Sequence, residues 1–188
     1  MKRSLLLLSL LGALCALALP ALAGATRSFV LDSASVLAEG KLEGVAVSSD
    51  GSITRSIATR RIELPGVALA RALYVGSDGA AYVGTGNDGK IYVVKDGAAR
   101  VLAETKELLV TSLVSDGKGT LFAGTIPHGK VFAIETSTGK LRELAQLKGA
   151  EHVWSLAYDD KQKTLFAATG PEGKVFAVDA AGKADVYY

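Results

Sequence analysis

The side chains of this chain best suited to chemistry are two histidines, His128 and His152, and the polar group Asn87, Asp88, Glu151 and Glu172. A histidine gains or loses its proton near neutral pH and can serve as a general base, provided a second group holds it in place. Along the sequence nothing brings a carboxylate to either histidine in a recognisable pattern, so base catalysis is not indicated. Four of the six fall in three matching segments, Thr85-Gly-Asn-Asp-Gly89, Thr125-Ile-Pro-His-Gly129 and Thr169-Gly-Pro-Glu-Gly173, whose equivalent tip is Asp88, then His128, then Glu172. Plain turn chemistry accounts for the Gly and Pro. A fixed frame with a changing tip also suits a recognition surface, and these six residues are the candidate ligand- or partner-binding rim. No catalytic residue, metal site or cofactor is expected. The acidic turns are isolated, without the spaced ligand loop of calcium sites. Lys90, Lys130 and Lys174 recur after the turns and could form an anion-binding ring, but long stems over apolar neighbours with the charge in water is the simpler expectation. Trp154, the one tryptophan, aligns with Leu73 and Thr111 of the other segments and is expected to line the core or a channel.

The elements that must position these residues follow from an internal repeat. Tyr82 to Val94, Phe122 to Ile134 and Phe166 to Val178 match, with Gly84, Gly124 and Ala168 as anchors 40 and 44 residues apart. That period suits a four-stranded propeller blade. Each unit holds four short runs rich in Val, Ile, Tyr and Phe, divided by turn residues. Asp78-Gly79, Asp88-Gly89, Asp96-Gly97 and Asp116-Gly117 supply the positive φ of tight hairpins. Gly84-Thr-Gly86 leads from strand to strand, unlike the dinucleotide fingerprint, which opens a helix. The chain is thus expected to be all-β, a β-propeller of four-stranded antiparallel blades: three clear blades over residues 67–106, 107–149 and 150–188, preceded by divergent N-terminal strands over 24–66. Phe29 to Val36 could complete a sheet. In such a fold the second-to-third-strand turns share one rim with the connections between blades, which gathers the six candidates there.

From Gly44 to Tyr188 the repeated text, Asp-Gly, aromatic-x-Gly-Thr, x-Gly-Lys-hydrophobic-aromatic, resembles exported bacterial β-propellers with NHL, quinoprotein-like and two-component-regulator repeats, of the WD-like superfamily. The resemblance implies architecture more than activity, because such propellers host enzymes, sensors and scaffolds. Quinoprotein blades carry A-x-D-x-x-T-G-x-x-x-W; Ala133-x-Glu135-x-x-Thr138-Gly139 is similar to its first part, but Glu143 stands in the tryptophan position. Propeller lyases that open cyclic lactone antibiotics use a histidine base with a metal, and here only His128 and His152 could take that part.

Residues 1–23 have the layout of a cleaved secretory signal: Lys2 and Arg3, an apolar run from Leu5 to Leu19, then Ala21-Leu22-Ala23. The run is shorter than the roughly 20 residues of a spanning helix. Leu14 precedes Cys15 and the apolar run continues past it, so a lipid anchor is not expected, nor stable membrane insertion after cleavage. Beyond the leader there is no cysteine, hence no disulfide and no thiolate chemistry. The net charge of +2 comes from Lys2 and Arg3, leaving balanced charge and no drive toward nucleic acid. A periplasmic or secreted, non-enzymatic binding module for a protein, glycan or small ligand is the expectation, with a propeller enzyme or an incomplete fragment as alternatives. Because propellers close with four to eight blades, the chain is expected to be truncated, to form a small four-bladed ring, or to self-associate through open blade edges.

Overall fold

A computed structural model describes residue 30 and residues 33–57 and 59–188; the expected leader lies outside them. The chain divides into two compact units, one up to Thr59 and one from Arg60 to Tyr188. In the first, α1 (Ala34–Ala38) is a short helix and β1 (Val45–Val47) pairs antiparallel with β2 (Ile53–Arg55). Residues 34–38 therefore do not extend as a sheet-completing strand. Ser33 caps their N-terminus by accepting from the Val36 N–H, and the Ala-Leu content favours a helix.

The second unit is three consecutive four-stranded antiparallel meanders. The first blade is β3 (Ala70–Val75), β4 (Ala81–Thr85), β5 (Lys90–Lys95) and β6 (Ala98–Glu104). The middle blade is β7 (Leu109–Ser115), β8 (Thr120–Ile126), β9 (Lys130–Glu135) and β10 (Leu141–Gln146). The last is β11 (His152–Asp159), β12 (Thr164–Gly170), β13 (Val175–Val178) and β14 (Ala184–Val186). Tight hairpins follow from turn chemistry: Asp96 and Gly97 both take positive φ, 51° and 79°, the pair of left-handed residues that a two-residue loop between right-twisted strands requires.

Each blade has a leading face, toward the blade before it, and a trailing face toward the next. One buried cluster joins the first blade's Tyr82, Ile91 and Val93 to the middle blade's Val110, Leu121 and Phe132. A second repeats it one blade on, with Phe122, Val131 and Leu144 against Val153, Leu165 and Phe176. Close approach of the blades dictates the repeated glycine. A Cβ on Gly84 would lie 2.6 Å from Val110 Cγ1, and one on Gly124 would lie 2.6 Å from Val153 Cγ1. Burying each of those valines, both fully inaccessible, stabilises the stack by roughly 1.5–3 kcal/mol.

A bulge recurs in the innermost strand pair of every blade, between Ala70 and Ala72, Val110 and Ser112, and Val153 and Ser155. The bulged residues are Arg71, Thr111 and Trp154. Trp154 therefore corresponds to Thr111 and Arg71 and not to Leu73; Leu73 instead matches Leu113 and Leu156. Leu73 lies two residues past the first blade's bulge at Arg71, and so out of line with Trp154.

Candidate functional site

The repeated threonine is a structural clip. Thr85, Thr125 and Thr169, all buried, donate their hydroxyls to the carbonyls of Lys90, Lys130 and Lys174 at 2.9, 3.0 and 3.0 Å, closing the base of each second-to-third-strand turn. The invariant Thr and Gly-Lys of the repeat thus fix the turn frame, and the tip is free to vary.

Connections between blades are tied to these turns by backbone bonds. The Thr105 N–H donates to the Gly89 carbonyl at 3.0 Å, Leu147 N–H to Gly129 at 3.0 Å, Gly129 N–H to Glu151 at 2.8 Å and Glu151 N–H to Gly170 at 2.9 Å. This chain of bonds sets the segments holding Asn87, Asp88, His128, Glu151, His152 and Glu172 along one rim.

The lysines do not hold their charges free in water as expected. Lys90 Nζ lies 2.8 Å from Asp88 and Lys174 pairs with Glu172, each with the tip acid of its own turn. These contacts hold Asp88 and Glu172 below the ordinary carboxylate values, the hydrogen bond from the lysine being the main cause for both. In the middle blade the tip is His128, so Lys130 finds other acids: Glu143 at 3.1 Å and Glu107 at 3.5 Å. The Glu143 hydrogen bond chiefly raises Lys130 above its ordinary value. An anion-binding lysine ring is thereby removed, since each cation already has its counter-charge.

Glu107 is the residue that sequence reasoning missed. Its side chain is only 5% exposed, and its Oε2 lies 2.8 Å from His128 Nδ1, while the histidine side chain is 63% exposed. A carboxylate oxygen accepts, so Nδ1 is the donor in this contact. The available clue was the missing tip acid in the middle turn, which obliges Lys130 to find a carboxylate elsewhere.

His152 and Trp154 form the second feature. Their rings stack at 4.9 Å between centroids, tilted by 24°, and Trp154 is 50% exposed. Trp154 is thus an exposed platform beside the rim, whereas its counterpart Thr111 is buried and spends its single hydroxyl proton between the carbonyls of Gly124, 2.9 Å away, and Val153 of the next blade. Among the described residues, no group of three or more His, Cys, Asp or Glu is placed to hold a metal ion. A shallow cleft of about 130 Å³ opens between the middle and last blades, lined by Asp116, Phe122, Arg142, Tyr158 and Lys163, on the opposite rim. Among the described residues no helix is long and apolar enough to cross a membrane.

No protein family and no curated protein matches the chain. Among solved structures, it is similar to one in the crystal structure of a nidogen/laminin complex, with 20% identity and a TM-score of 0.54, covering 66% of this chain and 49% of that one. Virginiamycin B lyase from Staphylococcus aureus, in its selenomethionine form, gives 13% identity and a TM-score of 0.59 over 76% of this chain and 47% of the lyase. A streptogramin B lyase structure gives 17% and 0.59, over 76% and 46%. The chain spans about half the length of each. At these identities the likeness shows fold alone, and with the three four-stranded sheets it makes the second unit a partial β-propeller.

Proposed function

We propose that this partial β-propeller is an exported, non-enzymatic recognition module that binds its partner on the rim of turns and blade connections. The observation that carries the reading is the half-exposed Trp154, stacked on His152, at a rim whose lysines are internally neutralised. An exposed aromatic platform with an imidazole stacked beside it suits the face of a sugar ring or an extended peptide. Balanced charge disfavours nucleic acid. Export rests on the leader pattern of residues 1–23 and is tested by the mass of the mature product, expected to begin at Gly24.

Because Trp154 is the only tryptophan, its emission reports the rim directly. Titration with soluble oligosaccharides and peptides should produce a saturable emission shift with at least one of them, lost in His152→Ala. A shift that persists unchanged in His152→Ala and Glu151→Ala would place binding elsewhere.

One observation favours a second reading. Glu107 holds His128 as a carboxylate orients an imidazole base, on a side chain 63% exposed, and two of the similar structures are lyases. If the chain is such an enzyme, incubation with a streptogramin B lactone yields a ring-opened product that His128→Ala abolishes. Absence of that product in the wild-type protein removes the reading.

A further inference from the structure

The cleft on the rim opposite the turns lies between the middle and last blades, and its lining departs from the repeat. Its equivalent one blade earlier, between the first and middle blades, is bordered by Gly76, Asp78, Tyr82, Ser115 and Thr136, and by no cation. In the later cleft Phe122 stands for Tyr82, Asp116 for Gly76 and Tyr158 for Ser115, since Tyr158 pairs with Leu165 as Ser115 pairs with Leu121. Tyr158 stacks on Phe122, with ring centroids 5.5 Å apart and planes inclined by 24°. Together with the buried Leu144, Leu165 and Val178, the two rings make an apolar floor.

Arg142, Asp116 and Asp179 border that floor, and none is spent on another. Arg142 donates one Nη2 hydrogen bond to the Ala180 carbonyl at 3.3 Å, which leaves most of its N–H donors open. Asp116 Oδ1 accepts the N–H groups of Lys118 and Thr120 at 2.8 and 2.9 Å, and Asp179 Oδ1 those of Ala181 and Lys183 at 2.9 and 2.8 Å. Among the described residues no hydrogen bond reaches either Oδ2, and no ion pair includes any of the three side chains. Lys163, also at the cleft, is turned to Asp160 at 2.6 Å. Opposite charges that face one cavity without pairing are matched by a ligand that carries both. A carboxylate fits the planar guanidinium fork, an ammonium is taken by a carboxylate oxygen, and the floor takes an apolar side chain. The volume of about 130 Å³ has room for about four waters and is small for a sugar ring or a peptide.

We infer that this cleft binds a free α-amino acid with a small apolar side chain. Its carboxylate lies on Arg142, its ammonium against the Asp116 and Asp179 carboxylates, and its side chain on Phe122 and Tyr158. A residue within a peptide does not carry both charges on one carbon, so the pairing selects the free molecule. The ligand is met by side chains, apart from the turn rim, and does not rest on the partner proposed there.

Isothermal titration calorimetry of the full chain with L-valine tests this. The expected result is saturable binding, at least about 10-fold weaker for L-valinamide, which lacks the carboxylate, and for N-acetyl-L-valine, which lacks the ammonium. Arg142→Gln should weaken L-valine to the level of L-valinamide while leaving L-valinamide unchanged. Arg142 is exposed, so folding should stay intact, as the urea midpoint checks. No binding of L-valine up to about 10 mM, either analogue bound as tightly as L-valine, or an unchanged affinity in Arg142→Gln would each overturn the inference.

Discussion

Glu107 is a carboxylate withdrawn from water, and such a group is tolerated only when cations or donors take up its lone pairs. His128 Nδ1 at 2.8 Å and Lys130 at 3.5 Å do so. Glu107→Ala should therefore lower stability by about 1–3 kcal/mol in urea unfolding, and Glu107→Gln by less, because the amide oxygen still accepts from His128. Equal losses would mean that the pair is ornamental. The acid limb of stability follows from the rim carboxylates. Asp88 and Glu172 titrate below their ordinary 3.8 and 4.5 when folded. Their contribution is complete above those ordinary values and is lost as pH falls through the lower folded ones. Asp88→Asn and Glu172→Gln should each flatten the drop in urea midpoint between about pH 5 and about pH 3, and a drop as steep as in the wild type would show the pairs contribute nothing.

At the scale of strands and turns, the blade contact is governed by one missing Cβ. Gly124→Ala should cost about 1–3 kcal/mol by overpacking against Val153, and Val153→Ala in the same chain should recover part of that loss, as coupled neighbours do; additive losses would contradict the contact. Thr125→Val, which removes the clip to the Lys130 carbonyl, should cost about 1–2 kcal/mol. These features were legible to different degrees. Alternating runs, Asp-Gly turns and the 40- and 44-residue spacing carried the three blades, because hairpin chemistry is local. Of the two counterparts expected for Trp154, Thr111 holds and Leu73 does not; the letters do not mark the differing hairpin length, with Ala72 and Ser112 lying 12 residues before Gly84 and Gly124 but Ser155 lying 13 before Ala168. The Glu107–His128 pair was not visible, since it joins a connection, turned by the positive φ of Lys106, to a hairpin 21 residues on. Only the absent tip acid hinted at it.

For the molecule as a whole, the rim and the blade faces divide the work. Turns and connections gather the variable polar residues and the Trp154 platform on one rim, while the blade faces carry apolar surface. The most direct test of the recognition rim is amide hydrogen exchange, with and without the concentrated exported fraction of the source. Protection confined to residues 85–89, 125–129, 147–152 and 169–173 is the predicted result. Protection centred on Asp116, Arg142 and Lys163 of the opposite rim would contradict it.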